Sequence, residues 1–431
     1  MRNGCSFFCA VVVILLGFSA PVLSADKYIT NNGITVIYQQ DKSSLMTHAV
    51  AFIKGGNCEE KKGQVGITTF LQRMLLKGTD GRSADQIAEG IESLGGSLGA
   101  DLSNDFLQIS LTVPTRYFRE GFGIFADVIR NPAFPENEVE KERKVLLADI
   151  KARYDEIFPY TYDYFLMTMY ETLPYGNLIL GDREDVRALT RQDIIQYYSG
   201  FCAPNNIVLV VLTGIPVTDI KKRIDAEFGD MLPRDRNWAG SWEVPERGEP
   251  ARITAGRGFK QAFLMVGFAA PEVSSDDYPV MKLVNNIIGE GGSSRAFVRL
   301  REKEGLAYEV GSFYPSRKNT SHFVVYMGLA PENISTSREE ILDILDSVST
   351  LSDDELSDAK SYLIGKFILD HESPQRRAWY LGWYEIMGKG YGYDEKYPQE
   401  IAGVKKEDIE KAAAAYFGKD NWVCVEVVPQ K

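Results

Sequence analysis

The chain has 431 residues and a formal net charge of −12, with 44% hydrophobic and 25% charged residues. This is an ordinary globular composition, long enough for two domains or more, and it excludes the disordered, collagen and coiled-coil classes. The excess of acidic residues also argues against a basic surface that binds nucleic acid or an anionic membrane.

The first 25 residues have the pattern of a secretory signal peptide. Arg2 is followed by an uncharged stretch at 5–23, whose apolar core is too short to span a bilayer comfortably. Small residues follow at Ser24 and Ala25 and predict cleavage after one of them. The alternative is a retained membrane anchor. We expect an exported protein, periplasmic in the simplest case, with no stable membrane anchor after signal removal.

Few side chains are available for metal or redox chemistry. The histidines are His48, His322 and His371, and the cysteines left after signal removal are Cys58, Cys202 and Cys424. No two histidines share a helical turn and no C-x-x-C motif occurs, which argues against a His-rich zinc site, a metal knuckle and a redox pair. We expect buried free thiols, with a single disulfide as the alternative in an oxidising compartment.

The first half of the mature chain alternates strands and helices. The predicted strands are 35–38, 48–53, 97–101 and 106–113, and the predicted helices are 67–76, 83–94, 118–130 and about 136–154. Gly78 and the pair Gly95-Gly96 end the first two helices, and Pro114 ends the fourth strand.

The second half repeats this pattern. The predicted strands are 262–268, 307–312 and 321–328, and the predicted helices are 278–288, 294–304, 337–347 and 352–369. A glycine cluster at 289–292 and Gly305 end the first two helices, and Ser352 with Glu355 forms a capping-box pattern before the last.

The matched order predicts an internal duplication, although strands and helices also alternate by coincidence in many proteins. We assign a signal peptide at 1–25, an N-terminal domain at 26–233, an extended linker at 234–252 and a C-terminal domain at 253–431. The expected fold class is α+β, an α/β roll built of two homologous sheet-plus-helices domains.

Three segments resemble one known family. Residues 66–79, GITTFLQRMLLKGT, resemble the zinc segment of the pitrilysin or insulinase-type metallopeptidases, the inverzincins, which include the mitochondrial processing peptidase. Residues 95–100 resemble the family's next strand, and residues 300–308, LREKEGLAY, resemble a motif of its C-terminal half. The resemblance covers essentially the whole mature chain, and it implies two domains that face each other as a clamshell around a peptide chamber.

Active members of this family carry H-x-x-E-H on a helix, with two zinc ligands at i and i+4 and a glutamate as general base. The matching positions here are Thr69, Gln72 and Arg73. Thr69 offers a weak neutral oxygen, Gln72 has no carboxylate, and Arg73 places a permanent positive charge where the metal would sit. The resemblance therefore implies a degenerate site with no metal.

The family's third ligand is a glutamate on the long helix that ends the first half, and the matching position is Asp149. Glu142 lies two helical turns earlier on the same face. We predict that Asp149 or Glu142 forms an ion pair with Arg73. The alternative is that both acids are solvated helix charges.

A second family feature is intact in the C-terminal half. Arg301 and Tyr308 have the spacing of the family's Arg/Tyr pair, which faces the zinc across the chamber and holds a substrate carbonyl. The alternative is structural: a local Arg301–Glu304 helix pair and a core tyrosine.

The resemblance also implies that the strand after the zinc helix presents a sheet edge to the substrate. An extended peptide adds there as a strand, and the residues concerned are Gly99, Ala100, Asp101 and Leu102. An ordinary internal strand is the equal alternative.

Two other features have structural interpretations. The glycine-rich loop 289–294 lacks Lys and the Walker spacing, so we interpret it as a helix stop and not a nucleotide site. The aromatic residues Trp379, Tyr380, Trp383 and Tyr384 have helical spacing and are interpreted as core or interface.

Relatives of this family can divide the site between two chains. The resemblance therefore implies a zinc-free subunit of a heterodimeric metalloendopeptidase, with no cofactor in this chain and zinc in a homologous partner. In that complex this chain supplies Arg301 and Tyr308, and it is inactive alone. The alternative is a non-catalytic peptide-binding or scaffold protein on the same fold, for example a homodimer.

Overall fold

The computed structural model describes residues 24–235, 240–418 and 420–430. The predicted signal peptide up to residue 23, and residues 236–239 of the predicted linker, lie outside these ranges. None of the described helices combines the length and the apolar character needed to cross a bilayer.

Within residues 24–235, the first half forms a six-stranded sheet with eight α-helices. The strands are β1 (Ala25–Ile29), β2 (Thr35–Gln40), β3 (Met46–Lys54), β4 (Ser97–Leu102), β5 (Phe106–Pro114) and β6 (Ile207–Thr213). The helices are α1 (Ile67–Met74), α2 (Ala84–Glu92), α3 (Phe118–Arg130), α4 (Glu136–Arg153), α5 (Ile157–Tyr170), α6 (Arg183–Ala188), α7 (Arg191–Phe201) and α8 (Val217–Phe228). The strand order is β1-β2-β6-β3-β5-β4, and only β2 and β6 run parallel.

The second half forms a five-stranded sheet in the order β7-β11-β8-β10-β9. Its strands are β7 (Ala251–Arg257), β8 (Ala262–Ala270), β9 (Ala307–Phe313), β10 (Ser321–Leu329) and β11 (Trp422–Pro429). Its α-helices are α9 (Tyr278–Gly289), α10 (Ile334–Asp346), α11 (Asp353–His371), α12 (Pro374–Ile386), α13 (Tyr393–Gly403) and α14 (Lys406–Tyr416). The sheet begins at Ala251, inside the segment predicted as linker.

The two sheets have the same topology once β1 is set aside. The parallel pair β2–β6 corresponds to the parallel pair β7–β11, and β3, β5 and β4 correspond to β8, β10 and β9. The long helix α4 packs on α1 in the first half, and the long helix α11 packs on α9 in the second. The protein is therefore an α+β fold of two similar sheet-plus-helix halves.

One predicted helix has a different form. The segment predicted as an α-helix at 294–304 contains a π-helix, Phe297–Lys303, in which the N–H of Glu304 donates to the carbonyl of Arg299 at 3.1 Å. Gly305, at φ +64°, follows and turns the chain toward β9. Local periodicity does not distinguish the two helix types, because the wider π-turn depends on how the helix meets its neighbours.

The halves exchange one helix each. Helix α5 of the first half packs on β8 and β11 of the second sheet, and helix α12 of the second half packs on β3 and β6 of the first. A glycine permits each crossing. A Cβ on Gly382 of α12 would overlap the ring of Phe52 and lie 2.8 Å from Val210, and one on Gly267 of β8 would lie 2.6 Å from Phe165 of α5. Each sheet therefore has a helix from the other half on one face.

Candidate functional site

The helix that matches the family's zinc helix starts at a tightly fixed point. Gly66 precedes α1 at φ +103°, where its backbone passes so close to Gly181 that a Cβ would lie 2.7 Å from the Gly181 Cα. The buried carboxylate of Glu60 accepts hydrogen bonds from the N–H groups of Gly66 and Thr68, both at 2.9 Å. These are the unpaired donors of a helix N-terminus, so Glu60 caps α1 from outside the helix. Burial raises the pKa of Glu60 to about 7.

Two of the three degenerate positions have backbone partners. The hydroxyl of Thr69 is buried and donates to the carbonyl of Ile179. The amide of Gln72 donates to the carbonyl of Ala100 on β4, with Nε2 and O 2.5 Å apart. Both side chains therefore serve to join α1 to neighbouring segments.

Arg73 lies between the two predicted acids. Its Nη2 is 2.6 Å from Oδ2 of Asp149 on α4, and its Nη1 is 4.0 Å from Oε2 of Glu142. Lys77 also contacts Glu142, with Nζ 2.8 Å from Oε1. The ion pair predicted for Arg73 is therefore present, and Asp149 is its close partner. Glu142 interacts mainly with Lys77.

This arrangement does not fit a zinc ion. Each of the two carboxylates already has a cationic partner, and the guanidinium of Arg73 stands where a second imidazole ligand would have to reach the metal. Among the described residues there is also no group of three or more His, Cys, Asp and Glu side chains placed to hold a metal. The carboxylates of this site are instead neutralised by Arg73 and Lys77 in a cluster of ion pairs.

Arg301 and Tyr308 are both exposed to solvent. Arg301 lies on the π-helix, with its guanidinium over the ring of Phe297 at 5.3 Å. Tyr308 lies on β9 with 59% of its surface exposed. The structural alternative for this pair is wrong on both counts, because Glu304 contacts Arg299 at 3.3 Å and Tyr308 is not in the core. Both side chains are free to meet a ligand or a second chain.

The strand predicted to receive a peptide lies at an edge of the first sheet. β4 pairs with β5 alone, in a register that places Gly99 opposite Ser110 and Asp101 opposite Gln108. The strand is thus not internal to the sheet. The carbonyl of Ala100 is engaged by Gln72, so a peptide added at this edge would have to displace that amide or bind beside it.

Comparison with known proteins places the chain in a family. Residues 35–183 match Insulinase (Peptidase family M16), and residues 188–363 match Peptidase M16 inactive domain. The chain therefore belongs to peptidase family M16, the pitrilysin-type family.

Its relatives span nearly the same length. A Bacillus subtilis protein named uncharacterized zinc protease YmxG is 26% identical over 397 residues, which is 91% of this chain and 96% of the relative. An uncharacterized zinc protease of Rickettsia felis is 26% identical over 400 residues, 90% of this chain and 93% of its own.

Two solved structures share the fold. A protease from Helicobacter pylori has a TM-score of 0.88 at 21% identity, covering 94% of this chain and all of its own. The peptidase M16 inactive domain from Pseudomonas fluorescens has a TM-score of 0.88 at 20% identity, covering 95% of this chain and 98% of its own.

A buried polar cluster between the halves was not predicted. The ring of His322 on β10 lies between two tyrosines of α5, with Nε2 2.8 Å from the Tyr162 hydroxyl and Nδ1 2.7 Å from the Tyr170 hydroxyl. Tyr170 donates to the carbonyl of Thr320 at 3.2 Å, so it accepts from Nδ1–H, and Nε2 accepts from Tyr162. Burial and the nearby Arg317 hold the pKa of His322 well below its usual value. No local pattern signals this cluster, because its members come from separate halves.

Proposed function

We propose that this chain is the zinc-free subunit of a heterodimeric M16 peptidase. The observation that carries the proposal is the contrast between its two halves. In the first, Arg73 and Asp149 form an ion pair at the position of the metal ligands. In the second, Arg301 and Tyr308 keep the family spacing and remain exposed. A chain that keeps only the substrate-binding pair needs a partner to complete the site.

In this complex a homologous H-x-x-E-H subunit supplies the metal and the general base for attack of water on a peptide bond. The guanidinium of Arg301 and the hydroxyl of Tyr308 donate hydrogen bonds to the oxygen of the scissile carbonyl. They hold the substrate and stabilise the negative charge that develops on that oxygen.

We also propose that the complex is exported and acts in the periplasm. The N-terminal charge, apolar core and small residues of the signal pattern support this location. The family of the chain and the position of β4 at a sheet edge support an extended peptide as the substrate class.

The test is a native pull-down, with partner chains identified by mass spectrometry and the eluate assayed on an unstructured peptide. We expect an H-x-x-E-H homologue and zinc-dependent hydrolysis. Arg301→Ala should lower kcat by about 10²–10³-fold, as expected for loss of one donor to a developing oxyanion. Lys303→Ala is the matched control, because Lys303 is exposed on the same π-helix.

The second candidate function is a non-catalytic peptide-binding or scaffold protein. The hydrogen bond from Gln72 to Ala100 favours it, because Gln72 stands at the position of the family's general base and here joins α1 to β4. A protein that purifies alone or as a homodimer, is inert, and binds peptides equally with and without Arg301 would establish this function and exclude the first.

A further inference from the structure

A cavity of about 210 Å³ lies in the second half, away from Arg73 and its partners. Its walls come mainly from α9, α11, α12 and α13, and half of the lining residues are aromatic. The rings include Tyr278, Phe367, Trp379, Tyr380, Trp383 and Tyr397. The sequence predicted four aromatic residues of α12 as core or interface, and it gave no sign of the space that they enclose with the neighbouring helices.

The position of this cavity follows from the duplication. α9 and α11 are the counterparts of α1 and α4, the helices that carry Arg73 and Asp149. In the first half the space between the two helices is closed by ion pairs. In the second half the corresponding helix pair lines an open, ring-walled cavity. The cavity therefore lies at the helix pair of the second half that corresponds to the pair carrying Arg73 and Asp149 in the first.

Most of the charges around the cavity are paired. Lys366 contacts Glu290 at 2.5 Å, and Glu290 also accepts from the amide of Asn285 at 3.1 Å. Tyr380 donates to Asp370 at 2.7 Å, and Arg376 lies 3.7 Å from the same carboxylate. The two carboxylates that line the cavity thus each have a cationic partner already, and one further cation lines it as well.

Lys282 is that further cation. Its side chain lines the cavity from α9, and it makes no hydrogen bond or ion pair with any other residue in the described parts of the chain. Burial lowers the pKa of its ammonium group, the carboxylate of Glu290 opposes this shift by attraction, and the like charge of Lys366 adds to it. Lys282 is only partly exposed, and with Lys366 and Arg376 it makes three cations against the two carboxylates of Glu290 and Asp370, so a bound anion would balance the excess positive charge.

We propose that this cavity binds a small aromatic carboxylate, with the ring stacked among the tyrosine and tryptophan side chains and the carboxylate paired with Lys282. The ring walls provide offset and edge-on aromatic contacts. The ammonium group provides a charge-assisted hydrogen bond. The volume is below the range of about 300–1,000 Å³ that is typical of larger ligands, so one ring with a short acidic tail fits. The proposal does not depend on the proposed peptidase partnership.

The test uses the full chain with phenylacetate and indole-3-acetate, and with the corresponding neutral amides. Binding is measured by calorimetry and by the fluorescence of Trp379 and Trp383, which line the cavity. We expect both carboxylates to bind and the amides to bind at least about tenfold more weakly, because they lose the ionic contact. This comparison is made on the unmodified protein and so does not depend on any variant folding.

Lys282→Met keeps the length of the side chain and removes its charge. We expect it to weaken carboxylate binding about tenfold or more and to leave amide binding nearly unchanged. Lys396→Met is the matched control, since Lys396 is exposed on α13 and does not line the cavity. Equal affinity for acids and amides, or the absence of binding by all four compounds, would overturn the proposal.

Two sources share this ligand chemistry, a free aromatic acid and the C-terminal residue of a peptide. A tripeptide ending in phenylalanine, compared with its C-terminal amide, distinguishes them. Binding of the free acids alone identifies a small-molecule site. Binding of the tripeptide acid with equal or higher affinity identifies a subsite for peptide ends.

Discussion

At the scale of single residues, the cluster around Arg73 is a set of ion pairs that joins α4 to α1 and to the residues just after it. Arg73, Asp149, Glu142 and Lys77 form alternating charges, so no carboxylate is left without a partner. The side chains of Arg73 and Asp149 are 21% and 45% exposed. Ion pairs in this environment add little stability, because water screens them.

We predict that Arg73→Met and Asp149→Asn each lower the free energy of unfolding by less than about 1 kcal/mol. The double variant should show a coupling energy of about 0.2–1 kcal/mol between the two side chains. Urea unfolding of the four proteins measures both quantities. A coupling energy of several kcal/mol would mean that the pair is a buried structural element and would contradict its description as a screened ion pair.

His322 gives a prediction about pH. Because its pKa is depressed in the folded state, the folded protein binds fewer protons than the unfolded chain below about pH 6.5. The stability that depends on neutral His322 is therefore present above this pH and is lost as the pH falls. His322→Gln removes the titration. When the pH falls from 8 to 5.5, the unfolding free energy of the wild type should decrease by about 1 kcal/mol more than that of the variant.

Urea midpoints of both proteins at the two pH values test this prediction. The charged and titratable groups that face His322 are Tyr162 and Tyr170 from α5 and the buried Arg317. Neither tyrosine titrates in this range, since burial raises the pKa of both. An identical pH dependence in wild type and variant would show that His322 is not held neutral.

At the scale of elements, the two exchanged helices decide how the halves fit together. Gly382 is the residue of α12 that lies over Phe52 and Val210 of the first sheet. A glycine inside a helix is normally a cost of about 0.5–1 kcal/mol relative to alanine. Its presence here is explained by the close approach of helix and sheet, which leaves no room for a methyl group.

We predict that Gly382→Ala lowers the free energy of unfolding by about 1–3 kcal/mol, because the added Cβ overpacks the contact with Phe52. Gly365→Ala is the matched control, since Gly365 is also inside a helix and a Cβ there meets nothing within 4 Å. The control should be stabilised by about 0.5–1 kcal/mol. Thermal or urea unfolding checks both. Opposite signs are the expected result, and a shared sign would contradict the packing argument.

Much of the element order could be predicted from the sequence. The helix predicted at 118–130 is α3, and the capping box at Ser352 and Glu355 begins α11 as predicted. Glycine and proline at helix ends and the period of the apolar residues are local signals, so they can be read from the sequence without knowledge of the fold. The assignment of α5 and α12 to the opposite sheet could not be predicted, because it depends on which apolar faces meet after the chain has folded.

The same distinction applies to the candidate site. The contact between Arg73 and Asp149 could be predicted, because the resemblance supplied the two helices and their facing positions. The contact of Gln72 with Ala100 and the cavity beside Lys282 could not. Each of these features depends on how elements that are distant in sequence are placed relative to one another. The identity of a single residue does not indicate that placement.

At the scale of the whole molecule, the two halves share one core. Buried side chains of β3 and β6 pack in the same cluster as those of β8, α9 and α12. The two halves are therefore held together by this core, and their separation would expose an apolar face on each sheet.

We predict that the first half, residues 24–235, does not fold alone, because its sheet lacks the helix that covers it. The full chain should unfold in one cooperative transition seen alike by fluorescence and circular dichroism. Addition of the second half, residues 240–431, should restore native signals to the first. A cooperative transition of the isolated first half would contradict this description.

The exchange of α12 also sets an order of events during synthesis. The last strand of the first sheet ends at Thr213, whereas the helix that covers this sheet begins only at Pro374. At about 5–20 residues per second, the ribosome needs on the order of 10–30 s to travel from one to the other. During that interval the nascent first half carries an uncovered apolar surface. A chaperone that binds exposed apolar surfaces can therefore act on the nascent chain during this interval. Slower translation between these two points should increase aggregation of the nascent chain.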